Sequence, residues 1–231
     1  MIEIKNLSKK FGDTTVLDDI SLSANGVLGI CGGAGSGKST LLGIIAGTIP
    51  ATAGEVLIDG KALPSDPFKL SKSVGYLAAG APAFSEFTVY EFLCFVGQAK
   101  KITEEKLLRQ IDEVIELTEL SKIKDVYIEH LSLSQRKIVG IAQALLGNPK
   151  VVVLDDPFAG IDSEALTTMK AIVKMLGDIK TVVISSRKQS DIASVCSDVF
   201  VLPSKQIEVE ESIDIASIEE SIDVADKEDE E

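Results

Sequence analysis

Residues 151 to 162 read VVVLDDPFAGID, an apolar run that ends in two adjacent carboxylates, Asp155 and Asp156. Such a run suits a buried strand. The pair at its end suits a division of labour in which one carboxylate serves a metal ion and the other takes a proton from a water molecule. A glutamate would perform the second task with more reach, and Asp156 is shorter by one methylene, roughly 1.5 Å. The first question is therefore whether the chain carries out a reaction at this point or only binds what the reaction would consume.

A second stretch names what would be consumed. Residues 32 to 40 read GGAGSGKST: Gly32, Gly33, Ala34, Gly35, Ser36, Gly37, Lys38, Ser39 and Thr40. They fit the phosphate-loop pattern G-x-x-x-x-G-K-[ST], and they sit between the strand-like VLGI and a helical run, as the pattern requires. Glycines allow the tight backbone geometry in which successive N–H groups converge on phosphate oxygens at a helix N-terminus. Lys38 then reaches the outer phosphates, and the Ser39 hydroxyl ligates Mg2+. Asp155, at the end of its hydrophobic strand, is the natural Walker B acid and holds the same Mg2+ through a water. ATP and Mg2+ are the expected ligands.

Elements must position these residues. Apolar and polar residues alternate through Ile2, Ile4 and Leu7 and again through Val16, Ile20 and Leu22, which predicts short antiparallel strands. VLGI predicts a buried strand, KSTLLGIIAG a helix and EVLIDG a further strand. From Thr88 to Leu120 the chain reads as helical, with Leu107, Ile111, Val114, Ile115 and Leu117 at helical spacing, and another helix is expected over 134 to 146. VVVLDD and TVVIS are continuous apolar runs of the kind found in parallel strands covered on both faces, joined by a crossover helix over 163 to 176. The expected class is α/β, a P-loop NTPase with a mixed sheet core, an antiparallel β subdomain and an inserted helical subdomain near 80 to 148.

Composition narrows the partners. Of the net charge of −13, residues 206 to 231 hold 12 acids and one lysine, which accounts for −11 and leaves −2 for the other 205 residues. The body, residues 1 to 205, is nearly neutral; the tail is acidic and reads as solvated, although its repeats ESIDIA and ESIDVA could line a helix face with Ile215, Ile218 and Ile222. No nucleic-acid partner is expected. Cys31, Cys94 and Cys196 are odd in number and far apart, so neither disulfides nor zinc is expected and a reducing cytosol fits. No window is apolar enough to cross a bilayer, so if a membrane matters, another chain supplies it.

The stretches between the two motifs carry a resemblance. LSLSQRK, residues 131 to 137, resembles the LSGGQ signature of ABC-type ATPases, and AGID, residues 159 to 162, looks like their D-loop. Phe11, in KKFG, stands where that family stacks an aromatic on adenine. VGYLAAGAPAFSEFTVYEFLCFVG, GIAQALLGNPK and SSRKQSDIASVCSDVFVL are similar to the ATP-binding subunits of bacterial ABC-2-type exporters. The resemblance covers roughly residues 1 to 203. It implies a dimer, homo- or hetero-, in which Ser132, Ser134 and Gln135 of one subunit face the phosphate loop of the other. It also implies a separate membrane permease on whose cytoplasmic side the subunit sits. Soluble ABC-type scaffold and regulatory nucleotide-binding subunits are the alternatives.

Four positions depart from that family. Ala79 stands at the Q-loop, where it can neither touch Mg2+ nor orient water. Asp156 stands for the catalytic Glu, Arg187 for the switch His and Ser134 for a signature glycine whose N–H approaches phosphate. Asp156 and Arg187 are thus the catalytic candidates, both altered, and the expectation is that binding is retained while hydrolysis is weak or depends on the partner. His130, the only histidine, reads as an ordinary loop residue. Removing residues 206 to 231 should shift the melting temperature by no more than a few degrees in a thermal scan, because charge of that density resists burial.

Overall fold

The computed structural model describes residues 1–82 and 84–203; the acidic tail and its repeats lie outside the described residues. The N-terminal alternation becomes β1 (Ile2–Phe11) and β2 (Thr14–Ala24), paired antiparallel with Lys9 opposite Leu17 and Phe11 opposite Thr14. VLGI is the heart of β3 (Val27–Cys31), and the phosphate loop leads from it into α1 (Lys38–Ile45). β4 (Ala53–Ile58) pairs antiparallel with β1, and the two-residue β5 (Lys61–Ala62) extends that sheet.

Next come α2 (Pro67–Ser73), opened by the Asp66 carboxylate as cap, and β6 (Val74–Leu77). Between β6 and the acid-bearing strand lie α3 (Val89–Ala99), α4 (Glu104–Leu117), a 3-10 turn at Ile128–His130 and α5 (Leu133–Leu145). β7 (Val151–Leu154), α6 (Ser163–Ile179), β8 (Thr181–Ser186), α7 (Gln189–Ile192) and β9 (Asp198–Val201) complete the described chain.

The order β6-β7-β8-β3-β9 forms a parallel sheet apart from the antiparallel one, β2-β1-β4-β5. Parallel strands must be covered on both faces, and the side chains divide accordingly. Val152, Leu154, Val182 and Ile184 join a core with α3 to α6, whereas Val151, Val153 and Val183 join a second core with α1 and the antiparallel sheet. The continuous apolar runs of the sequence are therefore two-faced strands.

Caps set the helix starts. Thr88 and Glu91 form a reciprocal capping box at α3, Ser132 and Gln135 another at α5, each satisfying N–H groups that the helix cannot. At its other end, α5 is closed from outside. Lys100, the residue after α3, donates to Gln143 O at 3.2 Å and to Leu146 O at 2.8 Å, where the helix dipole favours a cation.

Burial opposes that cation and lowers the Lys100 pKa to about 8. An unfolded lysine titrates near 10.4, so between these values the unfolded chain binds more protons and stability rises with pH. Lys100→Met removes both donations, to Gln143 O and Leu146 O, and should melt a few degrees below the wild type at neutral pH, for a loss of about 1–2 kcal/mol. The wild type's advantage should grow as pH is raised from about 8 to about 10. Thermal denaturation of both proteins over that range is the check.

Candidate functional site

Strand order alone assembles the site. At the C-terminal edge of the parallel sheet, β6 runs out toward Ala79, β7 delivers Asp155 and Asp156, β8 delivers Arg187, and β3 delivers the phosphate loop. Neighbouring strands are about 4.8 Å apart, so residues scattered over more than 150 positions of sequence stand in one row. This is the edge at which open α/β sheets bind ligands.

The loop from Gly32 to Lys38 is constrained at its glycines. A Cβ at Gly32 would collide with Ser36 Oγ, and Gly37 adopts φ 92 with Leu17 and Val16 of β2 packed against it. α1 follows Gly37, its N-cap residue, which supplies no side-chain cap, and this leaves the N–H groups of its first turn pointed out of the helix. Lys38 is 9% exposed and its ammonium donates to Gly32 O and Gly33 O, each at 2.7 Å. Burial lowers its pKa; Asp156 and then Asp155 push the other way, while Arg187 adds to the lowering. The four groups thus share one electrostatic neighbourhood. Ser39 is exposed and Thr40 half-buried, while Ser36 is turned inward.

Asp155 is 2% exposed, and the Ser185 hydroxyl donates to its Oδ1 at 2.5 Å. Its other oxygen, Oδ2, is buried without a hydrogen-bond partner among the described residues. A buried carboxylate oxygen left unsatisfied is costly, and a water held by Mg2+ would satisfy it. The same Ser185 hydroxyl accepts the N–H of Asp156 at 2.8 Å. Asp156 is half-buried with φ 49. Arg187 and Ala79 are exposed. Ser185 was not among the residues expected to matter; the signal for it was a hydroxyl ending an otherwise apolar strand, TVVISS.

α5 reaches this site from the side. Lys137, 4% exposed, donates to Asp156 O at 2.9 Å and to Ala159 O at 2.6 Å; burial lowers its pKa and Asp156 opposes. Ser134 donates to Asp162 Oδ2 at 2.8 Å, and Asp162 Oδ1 caps α6 through Ala165 N. The Ala165 N–H and then the Ser134 hydroxyl hold the Asp162 carboxyl below its ordinary pKa. Ser134 therefore turns its side chain inward, 6% exposed, and its hydroxyl faces Asp162. Ser132 and Gln135 are tied to each other by the capping box.

All three signature residues line a hollow of about 390 Å³ with Asp162 and Thr168. A larger one, about 610 Å³, opens at the opposite end of the sheet beside Met1, Lys150 and Lys180, away from every residue of the row. His130 is exposed, edge-on to Tyr127 and 3.7 Å from Glu129. Phe11 lies at the end of β1 and is 51% exposed, on the same ribbon whose Val16 and Leu17 touch Gly37.

Comparison with known proteins gives the family. The family model described as ABC transporter matches residues 17–159. The lipopolysaccharide export system ATP-binding protein LptB of Haemophilus influenzae is 31% identical over 213 residues, which is 90% of this chain and 88% of that protein. The sulfate/thiosulfate import ATP-binding protein CysA of Mesostigma viride is 31% identical over 211 residues, 90% of this chain and 60% of that protein. Among solved structures, the dimeric post-hydrolysis state of the ATP-binding cassette MJ0796, bound to ADP and Pi, aligns with TM-score 0.75 and 27% identity, covering 87% of this chain and 94% of that one. The family match over residues 17–159 and the 31% identity to an export ATP-binding protein over 90% of this chain and 88% of that one identify the chain as a member of the ABC transporter family, an ATP-binding subunit.

Proposed function

We propose that this chain binds Mg-ATP at the C-terminal edge of its parallel sheet, as one half of a two-subunit sandwich that drives a separate membrane permease, and that it hydrolyses ATP slowly. The observation that carries this is the convergence of Lys38, Asp155, Asp156 and Arg187 on one edge, with Asp155 Oδ2 unpartnered among the described residues. Ser39 and Asp155 would hold Mg2+, which when bound neutralises charge on the phosphate oxygens. Lys38 is poised to exchange the carbonyls of Gly32 and Gly33 for phosphate oxygens, because it already lies within the loop. Residues 1 to 205 make up the nucleotide-binding domain, with the helices over about 80 to 148 as a subdomain.

Slow hydrolysis follows from the side chains present. A general base must come within hydrogen-bond distance of the water, and the Asp156 carboxylate is drawn back by one methylene, a displacement of the order that costs about a hundredfold. Arg187 donates but has no lone pair with which to accept. Ala79 has no polar atom to orient water. In a homodimer both sites combine these substitutions; with a partner carrying the usual residues, each site has one altered half.

The permease would cover an exposed aromatic surface beside Ala79. Phe84 and Phe95 are 47% and 46% exposed, and Phe87 stacks on Phe95 at 5.4 Å. Ala78, Ala79, Ala81 and Pro82 line the hollow at their foot. Exposed apolar groups gathered in this way mark contact surfaces, and a membrane partner would place the subunit on the cytoplasmic face.

Lys38→Ala should abolish ATP binding in calorimetry; equal affinity in both proteins would defeat the assignment of the site. Steady-state phosphate release at saturating Mg-ATP should be very slow in the wild type. Asp156→Glu should recover part of the activity, and adding Ala79→Gln and Arg187→His should raise it non-additively, because these groups act as one unit. A fast wild type that Asp156→Ala silences would show instead that the aspartate is an adequate base.

A further inference from the structure

The aromatic ring proposed to receive the base is already occupied on one face. Lys9 lies two residues before Phe11 on β1, on the same face of the strand. Its ammonium stands 4.6 Å from the centroid of the Phe11 ring, within the range of a cation–π contact. The same ammonium donates to Pro50 O at 2.8 Å, so it is fixed by the chain that follows α1.

Exposure agrees with a one-sided cover: Lys9 is 8% exposed, whereas Phe11 keeps 51%. Leu17, opposite Lys9 across the ribbon, packs against Gly37, so the covered ring stands beside the phosphate loop.

We infer that Lys9 is a positioning residue for the nucleotide base: anchored on Pro50 O, its ammonium clamps one face of Phe11 and leaves the other as a single stacking platform. This rests on the proposed role of Phe11 as the stacking aromatic. Two physical effects follow. The ring is held before the nucleotide arrives, so less side-chain freedom is lost on binding. The charge also draws π density toward itself, which leaves the open face less negative and better matched to an electron-rich purine ring.

A purely structural Lys9 would act differently. Its bond to Pro50 would hold β1 to the chain after α1 whether or not Phe11 were present, and its loss would disturb binding of any phosphate ligand. A cycle of single and double mutants separates the two roles, and inorganic triphosphate, which lacks a base, separates them again.

The experiment is calorimetric titration of the full chain with Mg-ATP and with Mg-triphosphate. The proteins are wild type, Lys9→Met, Lys9→Gln, Lys9→Arg, Phe11→Ala and the double variant Lys9→Met/Phe11→Ala, each checked by thermal melting. Lys9→Met should weaken ATP by about three- to tenfold and leave triphosphate unchanged. Lys9→Arg, which keeps a cation able to stack on the ring, should stay near the wild type. Lys9→Gln, which keeps a donor for Pro50 but no charge, should resemble Lys9→Met and stands in for it if that variant does not fold.

In the Phe11→Ala background, Lys9→Met should cost nothing further. Wild-type ATP affinity in Lys9→Met, equal losses for ATP and triphosphate, or additivity in the double variant would each overturn the inference while leaving the Phe11 assignment in place. Unchanged ATP affinity in Phe11→Ala would overturn that assignment itself, and the clamp with it.

Discussion

The site depends on a buried carboxylate that the fold satisfies only by half. Asp155 is 2% exposed, with one oxygen held by Ser185 and the other without a partner among the described residues. An unsatisfied buried polar atom costs about 1–3 kcal/mol, more when it is charged. The sheet order brings Lys38 to the same edge, where Asp156 and then Asp155 favour its protonated form against the burial that disfavours it. The strand order also places the glycine loop, with its outward N–H groups, beside the pair.

A second dependence runs between the signature helix and the acid pair. Lys137 holds the carbonyls of Asp156 and Ala159, and Ser134 holds Asp162, which in turn caps α6. α5 is thus fastened to the turn after β7 at two points three residues apart on the helix. A displacement of α5 by whatever meets its N-terminal end would be carried to the backbone of Asp156, because a buried ammonium between two carbonyls cannot release one of them without leaving it unsatisfied. Serine at 134, in place of a residue without a side chain, adds the second fastening.

Much of this was legible in the sequence, for identifiable reasons. The phosphate loop and VVVLDD could be read because their chemistry is local: glycines, a lysine and a hydroxyl in fixed order, and an apolar run ending in acids. The two-faced strands announced themselves by continuous apolar residues. By contrast, β5 has two residues and β9 has half-buried and exposed ones, so neither shows a period. α2 carried a start signal in Asp66 and Pro67 but buries no residue, which removes the apolar face that periodicity detects. Ser185, Lys137 and Lys9 escaped because their roles are set by partners 30, 19 and 41 residues away. Nothing in a lysine's neighbours along the chain says that it will be buried among carbonyls.

Asp156 shows why its residue type cannot be judged by reach alone. Its φ of 49 lies in the left-handed region, where side chains other than glycine are disfavoured by about 1–2 kcal/mol and aspartate and asparagine are better tolerated than longer residues. The conformation is fixed from both sides, by the Ser185 hydroxyl on its N–H and by Lys137 on its carbonyl. Local backbone preference therefore favours aspartate, whereas proton abstraction favours the longer arm of glutamate. Fractions of a kilocalorie in stability are small beside the roughly 2.7 kcal/mol that a hundredfold change in rate represents. On the proposed reading of slow turnover, position 156 holds the residue that its backbone prefers rather than the one that rate alone would select.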